Sequence, residues 1–140
     1  MTTPSTAEIL RNPGRATLRG DTAAAGAGGP TPRDFHRRLL GYEPTPLVDA
    51  AELAADLGVG RLWVKDEAWR LGLPAFKMLG ASWASYRLLV SRLGAEPEWS
   101  SVDDLAAALT PLGPLTLVAA TDGNHGRAVA RTARLLGLGA

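Results

Sequence analysis

The run Leu115-Thr-Leu-Val-Ala-Ala120 passes straight into Thr121-Asp-Gly-Asn-His-Gly126 and then into a helical repeat. This junction restricts the fold more than any other stretch. An almost unbroken series of small and branched apolar residues suits a central parallel strand covered on both faces. Gly123 and Gly126 allow a tight turn and close backbone approach. Beyond them Ala128, Val129, Thr132, Leu135 and Leu136 mark the apolar side of a helix. A strand that feeds directly into a helix is the building unit of α/β folds, and ligands of open α/β sheets bind at the carboxyl ends of such strands.

The preceding chain agrees with that class. Residues 1–32 read as a flexible arm, because Thr22 to Pro32 is rich in Ala, Gly, Pro and Thr and can bury little apolar surface. Arg33 to Leu40 predicts a short helix ended by Gly41, and Pro44 and Pro46 set an extended or turned path after it. Asp49 is placed to cap a helix with Leu53, Ala54 and Leu57 on one face and Gly58 as its stop. Arg61 to Lys65 predicts a strand, and Asp66 to Pro74 a loop carrying Asp66, Glu67 and Arg70. Leu79, Trp83, Tyr86, Val90 and Leu93 then repeat at spacings of four and three, predicting a helix from Ala75 to Leu93. Ser101 caps a further helix through Leu109, with Asp103 and Asp104 in its first turn. Helix, strand, long helix, short helix, strand, helix is an α/β order, with a partial parallel sheet and flanking helices.

Lys77 stands in the first turn of the long helix. Of fifteen Lys and Arg residues only Lys65 and Lys77 are lysine. Arg stays protonated and forms no imine, whereas a partly desolvated Lys can lose its proton and attack a carbonyl. An ordinary surface lysine is the bland alternative. The apolar neighbours Leu73, Ala75, Phe76, Met78 and Leu79, with Gly72, Gly80 and Ala81, favour a site that something bulky approaches.

The helix start after the strand offers free N–H groups to anionic or polar atoms, and Asn124 adds an amide donor and acceptor. Asp122 is either a usable base or a capping or turn residue. His125 reads as a polar capping neighbour, and with His36 far upstream neither histidine is assigned a metal or triad role; no metal ligand set is predicted.

Composition narrows the function classes. A net charge of +1 without a basic cluster argues against nucleic acid and membrane surfaces. There is no cysteine, no apolar run of membrane-spanning length and no signal pattern, which predicts a soluble cytoplasmic protein acting on a small molecule.

Ala75-Phe-Lys-Met-Leu-Gly-Ala81 and Asp122-Gly-Asn-His-Gly126 together resemble two parts of the site of pyridoxal-phosphate enzymes with the tryptophan-synthase β-subunit fold. Within that group Phe35-His36 through Gly41-Tyr-Glu-Pro-Thr-Pro-Leu47, Trp63-Val-Lys-Asp-Glu67 and Thr121 to Arg127 are similar to diaminopropionate ammonia-lyases. The resemblance spans about residues 33–140. It implies pyridoxal 5'-phosphate as cofactor, held by Lys77 through an imine. Asn124 would bond the ring's phenolic oxygen, and Gly123 and Gly126 would lie against the cofactor. Lys77 and Asp122 would serve as bases, one for each substrate stereoisomer.

The implied reaction is α,β-elimination of 2,3-diaminopropionate to pyruvate and ammonia, by an enzyme that is a homodimer at full length. Serine and threonine dehydratases usually carry serine where Asp122 stands. Ala68 and Leu71 depart from the serine and phenylalanine expected there. The glycine-rich loop that grips the phosphate in this family lies downstream of Ala140, as does the residue facing the pyridine nitrogen. That arrangement predicts that these residues are the N-terminal portion of the catalytic domain. The alternatives are a serine/threonine ammonia-lyase or β-replacement enzyme of the same fold, and a truncated fragment without catalysis.

Overall fold

In the computed structural model, which describes residues 29–140, the first helix begins one residue after Thr31. Thr31 and Asp34 form a reciprocal cap: the Asp34 N–H donates to Thr31 Oγ1 at 3.2 Å and the Thr31 N–H to Asp34 Oδ2 at 3.2 Å. Pro32, at the first helical position, needs no acceptor, so α1 spans Pro32–Arg37. The expected arm, 1–32, lies outside the described residues except for 29–32, and its last two residues belong to this cap and helix.

β1 (Leu47–Asp49) and β2 (Trp63–Lys65) pair antiparallel, with Val48 opposite Val64. Between them α2 spans Ala51–Asp56. Asp49 is therefore not the cap of α2. It sits opposite Trp63 in the ladder, and Ala50 takes the cap position without a side-chain bond. The expected apolar face of α2 is not covered either: Ala54 is buried, but Leu53 and Leu57 are exposed.

α3 (Lys77–Leu93) is the central element, and Gly94 in the left-handed conformation ends it. Its buried side is centred on Met78, Ser82, Tyr86 and Leu89. That is rotated from the predicted stripe, in which Leu79 and Trp83 are only partly buried. Phe35 of α1 inserts against this face, stacking on Tyr86 with ring centroids 4.6 Å apart and meeting Trp83 and Trp99 at tilted or edge angles. α4 (Val102–Leu109) starts at the expected Ser101 cap, with Asp104 closing the reciprocal bond, and buries Leu105 and Leu109. A 3₁₀ turn, Thr110–Leu112, follows.

The apolar run 115–120 is extended but makes only one bridge, a parallel one between Thr116 and Gly139. It is not covered on both faces: Leu117 is half-buried while Val118 is 86% exposed. Too little chain lies beside it among the described residues to pair both edges. α5 (Asn124–Leu135) packs mainly on α3. The first turn of α3 meets the third turn of α5, with Thr132 Oγ1 3.9 Å from Met78 Sδ. No described helix is long and apolar enough to cross a membrane.

Candidate active site

Two helix starts carry the residues singled out above. Lys77 is the first residue of α3 and Asn124 the first of α5. The loop that leads to Lys77 is tied down by one buried guanidinium. Arg70 is 5% exposed. Its Nε donates to Glu67 Oε2 at 2.6 Å and its Nη2 to Glu67 Oε1 at 2.7 Å. The same group reaches the Glu43 carbonyl at 2.8 Å and Thr45 Oγ1 at 2.7 Å. Thr45 Oγ1 in turn donates to Glu67 Oε1 at 2.6 Å, and Lys65 Nζ donates to the Thr45 carbonyl.

This cluster fastens the segment after β2 to the segment before β1. The hydrogen bonds from Arg70 hold the Glu67 carboxyl at a pKa of about 2, against the opposing effect of burial, and Glu67 raises Arg70 in return. From there the chain reverses through Leu71 and Gly72, both left-handed, with φ of 52° and 77°. Pro74 then precedes the helix.

Met78 is 0% exposed, and Lys77, about 100° around the helix from it, falls on the exposed side of the first turn. The expectation of a partly desolvated amine is corrected accordingly: Lys77 is exposed, and Phe76 beside it is 56% exposed. Its Nζ lies 4.5 Å from the centroid of the Phe76 ring, a cation–π contact. Neither a salt bridge nor a hydrogen bond engages this amine among the described residues. Lys65 differs, since its ammonium is used by the Thr45 carbonyl.

At the other helix start Asp122, Gly123 and Asn124 are all exposed. Gly123, not Asp122, holds the cap position, and its N–H donates to Thr121 Oγ1 at 3.3 Å. No side chain caps α5 and no acid lies in its first turn, which leaves N–H groups there open to an acceptor. A Cβ at Gly126 would lie 2.8 Å from Thr121 Cγ2, so any side chain there would force that methyl aside. No hydrogen bond links Lys77 to Asp122 or Asn124 among the described residues. α3 packs on α5 with Met78 beside Thr132, so Lys77 stands near the third turn of α5, eight residues along that helix from Asn124, and the structure does not bring the two side chains together.

Sequence reasoning gave no role to two groups near Lys77. Glu67 and Arg70 were visible only as an acid and a base three apart in a loop. His36 is buried, with Nε2 2.9 Å from the Leu79 carbonyl, and so ties α1 to the first turn of α3. Only its position in a predicted short helix, beside Phe35, could have suggested that use.

A family profile described as pyridoxal-phosphate dependent enzyme matches residues 38–140. Diaminopropionate ammonia-lyase of Escherichia coli (strain K12) is 44% identical over 105 residues, covering 75% of this chain and 26% of that protein. The enzyme of the same name from Salmonella typhimurium (strain LT2) is 44% identical over 109 residues, covering 74% and 26%. The crystal structure of the Escherichia coli diaminopropionate ammonia lyase in apo form superposes with a TM-score of 0.67 at 43% identity, over 76% of this chain and 29% of that one. The chain thus spans about a quarter of the length of the curated relatives it matches.

Proposed function

The chain belongs to the pyridoxal-phosphate dependent enzyme family, and from that membership we propose that it carries the cofactor-anchoring part of a diaminopropionate ammonia-lyase. The observation that carries this reading is the 44% identity to two enzymes of that name. The side chains present suit the family's cofactor. Lys77 is a primary amine without a counter-ion among the described residues, Asn124 a carboxamide, and the open first turn of α5 accepts a polar or anionic atom.

In this reading Lys77 would hold the cofactor at its carbonyl carbon until the substrate's amino group takes that place and frees the amine, and Asn124 would donate to the phenolic oxygen. Gly123 and Gly126 keep the backbone clear at the start of α5. When bound, the cofactor accepts the electron pair left at the substrate α-carbon. Lys77 removes the α-proton from one stereoisomer of 2,3-diaminopropionate and Asp122 from the other. The β-amino group departs as ammonia. Hydrolysis of the remaining enamine consumes one water and yields pyruvate and a second ammonia. The reading includes a cytoplasmic homodimer, which sedimentation velocity of the purified protein and fractionation of cells test.

The decisive experiment adds pyridoxal phosphate to the chain, reduces with borohydride and maps the adduct by mass spectrometry. A stable adduct on Lys77, absent from Lys77→Arg, is expected. No adduct would favour a fragment without catalysis. Pyruvate release from diaminopropionate by the active enzyme, compared with serine and threonine, tests the substrate. Turnover of serine alone would reject the assignment.

A further inference from the structure

A second basic site uses none of the residues assigned to the cofactor. The start of α4, the last turns of α5 and the end of α1 enclose a cavity of about 570 Å³ lined by Arg38, Arg131 and Arg134. Asp103 is the one carboxylate in the lining, and Asp104 beside it accepts from the N–H groups of the lining residues Ser100 and Ser101, so three arginines stand against two carboxylates there among the described residues. None of the three arginines forms an ion pair among the described residues; the two salt bridges there use Arg70 and Arg87. Surface arginines normally find a carboxylate or spread into solvent, and three unpaired ones around one cavity create a concentrated positive field.

Arg38 is also held in place. Its Cζ lies 3.6 Å from the centroid of the Trp99 ring, and Trp99 is 5% exposed. Stacking of this kind orients the planar fork and leaves its N–H edge free for an oxyanion. The start of α4 adds free N–H donors, offset in part by the carboxylates of Asp103 and Asp104 in its first turn. Ser101 and Asp104 cap each other, and that exchange leaves the N–H groups of Val102 and Asp103 without an intrahelical acceptor. The volume is several times that of a lone phosphate and falls within the range of small-molecule sites. Leu135 supplies apolar wall for the rest of a ligand.

We propose that the cavity bounded by Arg38, Arg131 and Arg134 binds a phosphorylated small molecule, at a site distinct from Lys77. Guanidinium forks match phosphate oxygens in pairs, and three of them against the carboxylates of Asp103 and Asp104 leave net positive charge for an anionic group. This assignment does not depend on the elimination chemistry.

Calorimetric titration of the full chain with pyrophosphate, in a buffer free of phosphate and pyridoxal phosphate, tests it. Saturable binding with one site per chain is expected. Arg134→Gln and Arg131→Gln should each weaken it about tenfold or more, the loss that follows removal of a charge-assisted bond. Arg61→Gln removes the same charge elsewhere and should leave affinity within about twofold, as should Lys77→Gln. Asp103→Asn should tighten binding, and this outcome is readable even if an arginine variant fails to fold. Citrate should bind more weakly than pyrophosphate.

No saturation, equal weakening by Arg61→Gln and Arg134→Gln, or loss on Lys77→Gln would overturn the site. Unchanged or weaker affinity in Asp103→Asn would overturn it as well. Tighter binding of citrate would overturn the phosphate assignment.

Discussion

Arg70 grips Glu67 through two parallel bonds of 2.6 and 2.7 Å although only three residues separate them, and the pair is largely removed from solvent. Breaking such a pair strands the remaining charge, so Arg70→Met should cost about 3–5 kcal/mol in urea denaturation. The Glu67 carboxyl is depressed from 4.5 to about 2 by Arg70. Its contribution to stability is therefore complete above about pH 4.5 and fades as the pH falls toward 2. In Glu67→Gln that part of the acid limb should flatten.

His36 governs a different window. Burial lowers its pKa against the opposing pull of the Leu79 carbonyl, and the charge of Arg70 adds to the lowering. The folded protein thus keeps the ring neutral where the unfolded chain would take up a proton. Stability should be full above about pH 6.5 and decline below it. Unfolding measured from pH 7.5 to 5 should show this slope, and His36→Gln should lack it. An identical slope in both proteins would contradict the assignment.

Gly126→Ala should destabilise by about 1–3 kcal/mol, because the new methyl would press on Thr121 Cγ2. Turning Thr121 aside would break its bond to the Gly123 N–H. Thr121→Ser keeps the hydroxyl and removes the methyl. The double variant should therefore recover most of the loss in thermal melts, and additive losses would refute the contact.

Asp122→Asn bears on the elimination itself. If Asp122 is the base for one stereoisomer, pyruvate release from that isomer should fall about 10²–10⁴-fold in the active enzyme. The other isomer should turn over near the parent rate. Equal losses on both would remove Asp122 from the proton transfer.

Helix positions were the most readable part of this chain. Ser101 as a cap, Leu93 as the end of the long helix and Lys77 in its first turn all follow from local rules, and all are found. Faces were harder to read. Apolar residues at 78, 79, 83, 86, 88, 89, 90 and 93 occupy most of the circumference of α3, so spacing alone left the buried side open. Phe35 and Met78 chose it by packing.

The partner of β2 was also hidden, since antiparallel pairing with Leu47–Asp49 depends on a contact across α2 that no local pattern records. Lys77 and Asn124 stood out by residue type and neighbours. The Arg70 cluster did not, because its members at 43, 45, 67 and 70 meet only after the fold has formed.

Met78 and Arg70 act as two fixed abutments on either side of a short span of backbone. One is driven into the core and the other is clamped beneath the chain. Whatever approaches the ammonium of Lys77 consequently meets a group rooted next to a buried side chain, with its own four-carbon tether reaching from the exposed side of the helix start.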